Sequence, residues 1–417
     1  MARSLTFAAV VALALAAGSA VAGDPAVDMK SPDVAVRLAA IESIRTGPVA
    51  NAEALLVGAL ADTDWEVIEK AAEAIGQKGA DGAAKAVVKI AMEHPARRVR
   101  VTAARALARL GTWDTVTDDF GKVRPTELAA SLDAMAEVAV TREGEVLVKL
   151  VERGLGMKKD PAARAAAARG IGGYPAADRP ARLRELSADD DVAVAAAAVD
   201  GIRAKRDDAC APVLLEILAR PKVGETLARR ARAGFVEAVG RKAKGPDAGS
   251  VAQAAVNAVK ATPTPEAGWQ YARLLGEIGE LPDEHVERGL LLEGVNAALG
   301  NASPKTRAAA AWSLGRIGGD AAADRATEIA KADTDAHVRM TALQSLARLR
   351  DAAHDGAFKL FADRLADDPD VIVREEAAVA LGRRGVAGAV PTLRKAVERA
   401  MDEKSGSYII KSFLQED

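Results

Sequence analysis

Apolar residues return along this chain in one repeated phrase. Near the C-terminus it reads Asp335-Ala336-His337-Val338-Arg339-Met340-Thr341-Ala342-Leu343-Gln344-Ser345-Leu346, and near the N-terminus Asp33-Val34-Ala35-Val36-Arg37-Leu38-Ala39-Ala40-Ile41-Glu42-Ser43-Ile44. With Val338 or its counterpart numbered 0 and the chain wound at about 100° per residue, positions 0, 4, 7 and 8 fall in one apolar sector, the signature of an amphipathic helix docked on neighbours. The last core residue recurs at Ile44, Ile75, Leu107, Ile171, Ile202, Val236, Leu275, Leu314, Leu346 and Leu381. Spacings run from 31 residues (Ile44 to Ile75) to 39 (Leu275 to Leu314). One gap of 64 (Leu107 to Ile171) holds a degenerate copy around Met135 to Ala139. Self-similarity at such a period predicts stacked supersecondary units, about eleven of them.

Each phrase follows a second apolar stretch, such as 52–60, 213–218 or 286–292, so the unit is a helical hairpin. The Asp four residues before the Arg (Asp33, Asp160, Asp335, Asp370) is placed to cap the phrase helix. Its charge suits the positive helix end. Gly76, Gly111, Gly318 and Gly385 follow the last core residue and are expected to terminate it.

These iterated residues resemble HEAT repeats of the short bacterial kind, found also in phycobilisome-lyase-like proteins. The resemblance spans nearly the whole chain after its first residues. It implies an all-α solenoid, here a right-handed superhelix of about eleven hairpins, and it says little about activity because function on such a fold sits in grafted sites. Aromatic residues make up only 3% against 49% hydrophobic overall, so the expected core is thin layers of Ala, Leu, Val and Ile. Pro-bearing stretches at 244–246 and 262–265 read as loops, and no linker divides the chain.

The first residues form a separate element. Arg3 precedes an apolar run from Phe7 to Ala17, and Ser19-Ala20-Val21-Ala22 offers small residues before Gly23. That is the pattern of a cleaved signal peptide over 1–22, too short for a stable span. The expected organisation is thus signal peptide 1–22, solenoid 23–401 and a tail or cap at 402–417. The protein is expected to be exported, to a periplasm or beyond, with no membrane span after cleavage. A balance of 57 basic to 59 acidic residues lacks the basic excess that nucleic-acid binding requires. The single cysteine, Cys210, excludes an internal disulfide and reads as a small core residue, with a reactive thiol as the alternative.

No motif for haem, zinc, a nucleophile elbow or a phosphate loop occurs. His94, His285, His337 and His354 are scattered over different repeats; the first three hold loop or helix-start positions where capping or solvation is the ordinary role, and no third ligand in the sequence joins His337 and His354. The Asp-rich turns at 62–64, 189–191, 333–335 and 367–370 could gather calcium but recur at the capping slot, so helix caps are expected. The expectation is therefore no catalytic residue, no metal and no cofactor.

What remains is surface. Positions 2 and 6 of the phrase helix lie opposite the core sector and are expected to face solvent along a concave wall. Position 6 is mostly polar: Glu42, Glu73, Arg105, Arg169, Asp200, Arg273 and Gln344. Trp312 breaks that row, while Trp269 and Met340 hold position 2 in the repeats on either side. These three, rimmed by Arg273, Arg316 and Gln344, are the candidate partner-binding residues. The alternative is that the rings fold over neighbouring alanines. Trp65, just after its cap, is expected to pack on the loop. The expected function is an exported, non-catalytic scaffold for a protein or peptide, and the alternative is an enzyme accessory or lyase-like protein with an unrecognised site.

Overall fold

The computed structural model describes residues 23–111, 125–242, 248–261, 264–349, 355–384 and 389–402. The signal peptide (1–22), the tail beyond 402, His354 and Gly385 lie outside the described residues. Two compact units divide the chain, Met1–Lys205 and Arg206–Asp417.

In the first unit a one-turn helix, Pro25–Asp28, precedes α1 (Val34–Thr46), α2 (Ala52–Ala59), α3 (Trp65–Lys78), α4 (Ala84–Glu93), α5 (Arg97–Leu110), α6 (Pro125–Ala139), α7 (Glu145–Leu155), α8 (Pro161–Arg169), α9 (Arg179–Leu186) and α10 (Val192–Lys205). The second unit holds α11 (Ala211–Ala219), α12 (Glu225–Lys242), α13 (Ala248–Lys260), α14 (Pro265–Ile278), α15 (Arg288–Leu299), α16 (Pro304–Ile317), α17 (Asp320–Ala332), α18 (Ala336–Arg348), α19 (Asp355–Asp367), α20 (Val371–Arg384) and α21 (Ala389–Asp402). No strand occurs among the described residues. The phrase residues form α1, α3, α5, α8, α10, α12, α14, α16, α18 and α20, and the degenerate copy forms α6.

The chain is an all-α solenoid. Phrase helices stack in order within each unit, α1 on α3, α5, α6, α8 and α10, then α12 on α14, α16, α18 and α20, and the intervening helices form a second layer against them. Positions 0, 4 and 8 make the core: Val67, Ala71 and Ile75 are wholly buried, as are Val338 and Ala342.

The glycine expectation needs one correction. Gly111 and Gly318 do end their helices at positive φ, 72° and 77°. Gly76 lies buried inside α3, which ends instead at Gly79 with φ 68°. A Cβ on Gly76 would stand 2.7 Å from Ala106 Cα on α5, so the residue is glycine because two helix backbones meet there. The same slot in α16, Gly315, meets Ser345 of α18 at 2.8 Å, and Ser345 Oγ donates to Ala311 O at 2.8 Å.

Close stacking also alters the expected solvent row. Val101 and Ala196 at position 2 are buried, and at position 6 only Glu42 and Arg105 are fully exposed while Glu73, Arg169, Asp200, Arg273, Trp312 and Gln344 are half-buried. Arg169 reaches back to Asp133 on α6, while Arg273 and Gln344 reach forward to Trp312 and Glu376, so these side chains meet a neighbouring helix as well as water.

The Asp-rich turns carry two roles. The second Asp caps the helix: Asp64 Oδ1 accepts from Glu66 N at 2.8 Å, Asp191 from Ala193 N at 2.8 Å, Asp335 from Val338 N at 3.2 Å and Asp370 from Ile372 N at 3.1 Å, and the lone Asp33 and Asp160 do the same for Ala35 N at 2.8 Å and Ala163 N at 2.9 Å. The first Asp receives the phrase Arg of the preceding hairpin, which the sequence reading did not foresee. Arg37 grips Asp62 (2.8 and 3.0 Å), Arg307 grips Asp333 (2.8 and 2.9 Å), Arg339 grips Asp368 (3.0 and 2.7 Å), and Arg164 meets Asp189. In two places where the Arg is missing, the partner is uncharged. Ile68 and Gly268 stand in its place, and the corresponding loop acceptors are His94, which takes Ala96 N at 3.2 Å, and Asn301, which takes Ser303 N at 2.9 Å.

Candidate partner-binding wall

The candidate residues sit on α14, α16 and α18 in the second unit. Trp312 is on the middle turns of α16, and the preceding phrase helix, α14, has Gly276 beneath it. A Cβ on Gly276 would lie 2.7 Å from Trp312 Cζ3, so the ring lies down over the glycine instead of standing in solvent. Arg316, one turn further along α16, places its Cζ 3.3 Å from the ring centroid, and Arg273 of α14 places its own at 5.0 Å. Both contacts are cation–π in kind. Trp312 is therefore a half-buried ring held by packing and by two guanidiniums.

Beside it an open cleft of about 520 Å³ is lined by Trp312, Arg316, Gln344, Ser345, Ala347, Arg348 and Arg383. Three of the six candidates, Trp312, Arg316 and Gln344, line this cleft, and Arg273 joins through the ring. Trp269 is placed otherwise: Lys305 at the start of α16 covers its ring at 4.0 Å. Met340 is half-buried on α18, one turn before Gln344, and is not among the cleft-lining residues.

Charge in the cleft is shared unevenly. Glu280, just past the end of α14, accepts Arg316 and Arg348 on one oxygen, both at 3.1 Å. Glu376 on α20 accepts Gln344 Nε2 at 2.8 Å and stands 3.9 Å from Arg383. Burial pulls the Arg316 guanidinium below its ordinary range, Arg348 and Arg273 push the same way, and Glu280 and Glu277 oppose them.

Arg232 on α12 was not anticipated. It is almost wholly buried, with Nε 3.0 Å from Glu277, Nη2 3.0 Å from Glu225, and Nη1 donating to the buried Gln270. It occupies position 4, where most phrase helices carry alanine, and that substitution was the available signal.

The remaining singled-out residues are dispersed. Cys210 is fully buried at the start of α11. Trp65 meets His94 edge-on at 5.6 Å, yet half of its surface is exposed. Burial, with a smaller push from Arg100, holds His94 below its ordinary range, against the pull of its Ala96 hydrogen bond. No group of three or more His, Cys, Asp or Glu is arranged for a metal among the described residues. None of their helices is long and apolar enough to cross a membrane.

This stack of hairpins defines the class, a helical-repeat solenoid with its candidate site on the stacked phrase helices. HEAT repeats match residues 52–120, 251–347 and 292–382, and the chain belongs to the HEAT-repeat proteins. Karyopherin Kap95p, the yeast importin-β, resembles it at 14% identity and a TM-score of 0.44 in a complex with RanGDP, over 94% of this chain and 60% of that one. Karyopherin Kap121p bound to the extreme C-terminus of the phosphatase Cdc14p gives 10% identity and 0.44, over 92% and 48%. Human deoxyhypusine hydroxylase gives 18% identity and 0.27, over 87% and 94%. The chain thus spans roughly half to three-fifths of the length of those karyopherins. No curated protein matches the sequence.

Proposed function

We propose that this HEAT-repeat protein is an exported, non-catalytic scaffold that receives a protein or peptide partner on the wall of α14, α16, α18 and α20. The observation that carries the reading is Trp312, a half-buried ring at the edge of an open cleft, flanked by arginines. Tryptophan and arginine beside a polar rim are the residues from which binding hot spots are built. The wall is taken as the concave one because its helices meet backbone to backbone at Gly276 and Gly315, and the more closely spaced layer of a two-layer stack lies inside its curve. The acidic groups of the wall are engaged by arginines, which suits a binding surface better than acid–base chemistry. Export rests on the apolar run 7–17 and the small residues before Gly23.

A photo-crosslinking side chain placed at Met340 tests the wall, with Lys331 on α17 as the outer-layer control. Adducts with one partner are expected from Met340 and not from Lys331. Adducts from Lys331 alone, or from neither, would contradict the reading. N-terminal sequencing of the protein from its native cell is expected to begin at Gly23 or within a residue or two, and an intact Met1 would contradict export.

A further inference from the structure

The cleft next to Trp312 has more positive charge than the protein itself neutralises. Three guanidiniums, Arg316, Arg348 and Arg383, line it and lean on two carboxylates. Glu280 divides a single oxygen between two of them, and Glu376, already accepting Gln344, meets Arg383 only at 3.9 Å. A fourth guanidinium, Arg273, rests on the Trp312 ring and reaches Glu277 at 3.4 Å, on the oxygen that Arg232 already holds at 3.0 Å. Each guanidinium carries five N–H donors in a fixed fork matched to carboxylate geometry. Donors in this cluster therefore outnumber the carboxylate oxygens that meet them among the described residues. The side chains of Arg348 and Arg383 are 54% and 58% exposed, so an incoming anion reaches them without displacing the core.

We propose that this cleft takes an acidic peptide segment, its Asp or Glu carboxylates landing on Arg348 and Arg383 while an adjoining side chain lies along Trp312. The inference rests on the reading of this wall as the partner site and adds the chemistry of the partner. The arginines are distributed over α16, α18 and α20, which suits an extended chain bearing several carboxylates. The arrangement also assigns Glu280 a role: it is an internal competitor that occupies Arg316 and Arg348 until another carboxylate arrives.

A fluorescein-labelled decapeptide of alternating Glu and Gly, and the same peptide with Gln for Glu, are titrated against the mature chain at low and moderate salt. The Glu peptide is expected to bind at least tenfold more tightly than the Gln peptide, and more weakly as salt rises. Arg348→Ala with Arg383→Ala is expected to abolish that preference, while Lys158→Gln with Lys159→Gln, which removes the same charge from the first unit, leaves it intact. Glu280→Gln is expected to tighten binding of the Glu peptide several-fold, a gain that loss of a merely structural contact would not produce. Equal binding of both peptides, lost in Trp312→Ala, would overturn the acidic preference and leave the wall as partner site. Binding of neither peptide, or preferential binding of an oligothymidylate, would overturn the inference, whereas the wall reading stands or falls on the crosslinking at Met340.

Discussion

Arg339 on α18 holds Asp368, in the loop before α20, through both Nε at 3.0 Å and Nη2 at 2.7 Å, and both residues are buried. The same aspartate accepts the amide of Asp370 at 3.0 Å, and the same arginine donates from Nη1 to Asp333 O at 2.9 Å. One pair therefore ties two successive hairpins at the start of their phrase helices. Removing one partner leaves the other buried without its counter-charge, which costs about 3–5 kcal/mol. Asp368→Ala is expected to lower the unfolding free energy by that order in a urea titration, and a loss under about 1 kcal/mol would show the pair to be ornamental.

The ladder also sets an acid limit. Burial raises the carboxyls of Asp333 and Asp368, but hydrogen bonds from Arg307 and Arg339 and from the amides of Asp335 and Asp370 outweigh it and hold both below the ordinary carboxylate range. A group depressed on folding stabilises the protein above its unfolded value, and that contribution disappears as pH falls through the folded one. The melting temperature is expected to vary little through this pair of groups near neutrality and to drop below about pH 4, where unfolded carboxyls begin to titrate. Asp368→Asn should be less stable at neutral pH and show a shallower acid drop. An unchanged acid slope in that variant would contradict the assignment.

Much of this was legible because it is local. The period, the capping Asp and the apolar sector all lie within twelve consecutive residues, and they fixed the hairpins and even the degenerate copy at α6. The ladder was not legible, because Arg37 and Asp62 belong to different hairpins and the first Asp of each turn looked like a spare cap. Its trace is nevertheless in the sequence: Ile68 with His94 and Gly268 with Asn301 lose both charges together. Helical register placed Trp312 correctly beside Arg316 and Gln344. It could not place the ring over Gly276 or Lys305 over Trp269, since both depend on how closely neighbouring helices approach.

Gly76 tests that approach directly. In an exposed helix interior, replacing glycine with alanine stabilises by roughly 1 kcal/mol. Here the added Cβ meets the backbone of α5, so Gly76→Ala is expected to destabilise, and Gly76→Val by about 2–3 kcal/mol, as overpacked cores do. Denaturant unfolding with an unchanged slope is the check. A stabilised Gly76→Ala would mean that α3 and α5 stand further apart than described.

Binding of the partner on the Trp312 wall is tested most directly by Trp312→Ala, with a thermal melt run beside a binding titration. The ring is half-buried over Gly276 and stacked by Arg316, so its removal is expected to cost about 1–2 kcal/mol of stability. Loss of a hot spot costs roughly 2 kcal/mol or more of binding, a Kd at least about thirtyfold weaker for the partner crosslinked through Met340. A variant that melts earlier yet binds that partner with unaltered affinity would contradict the account and leave Trp312 as packing alone.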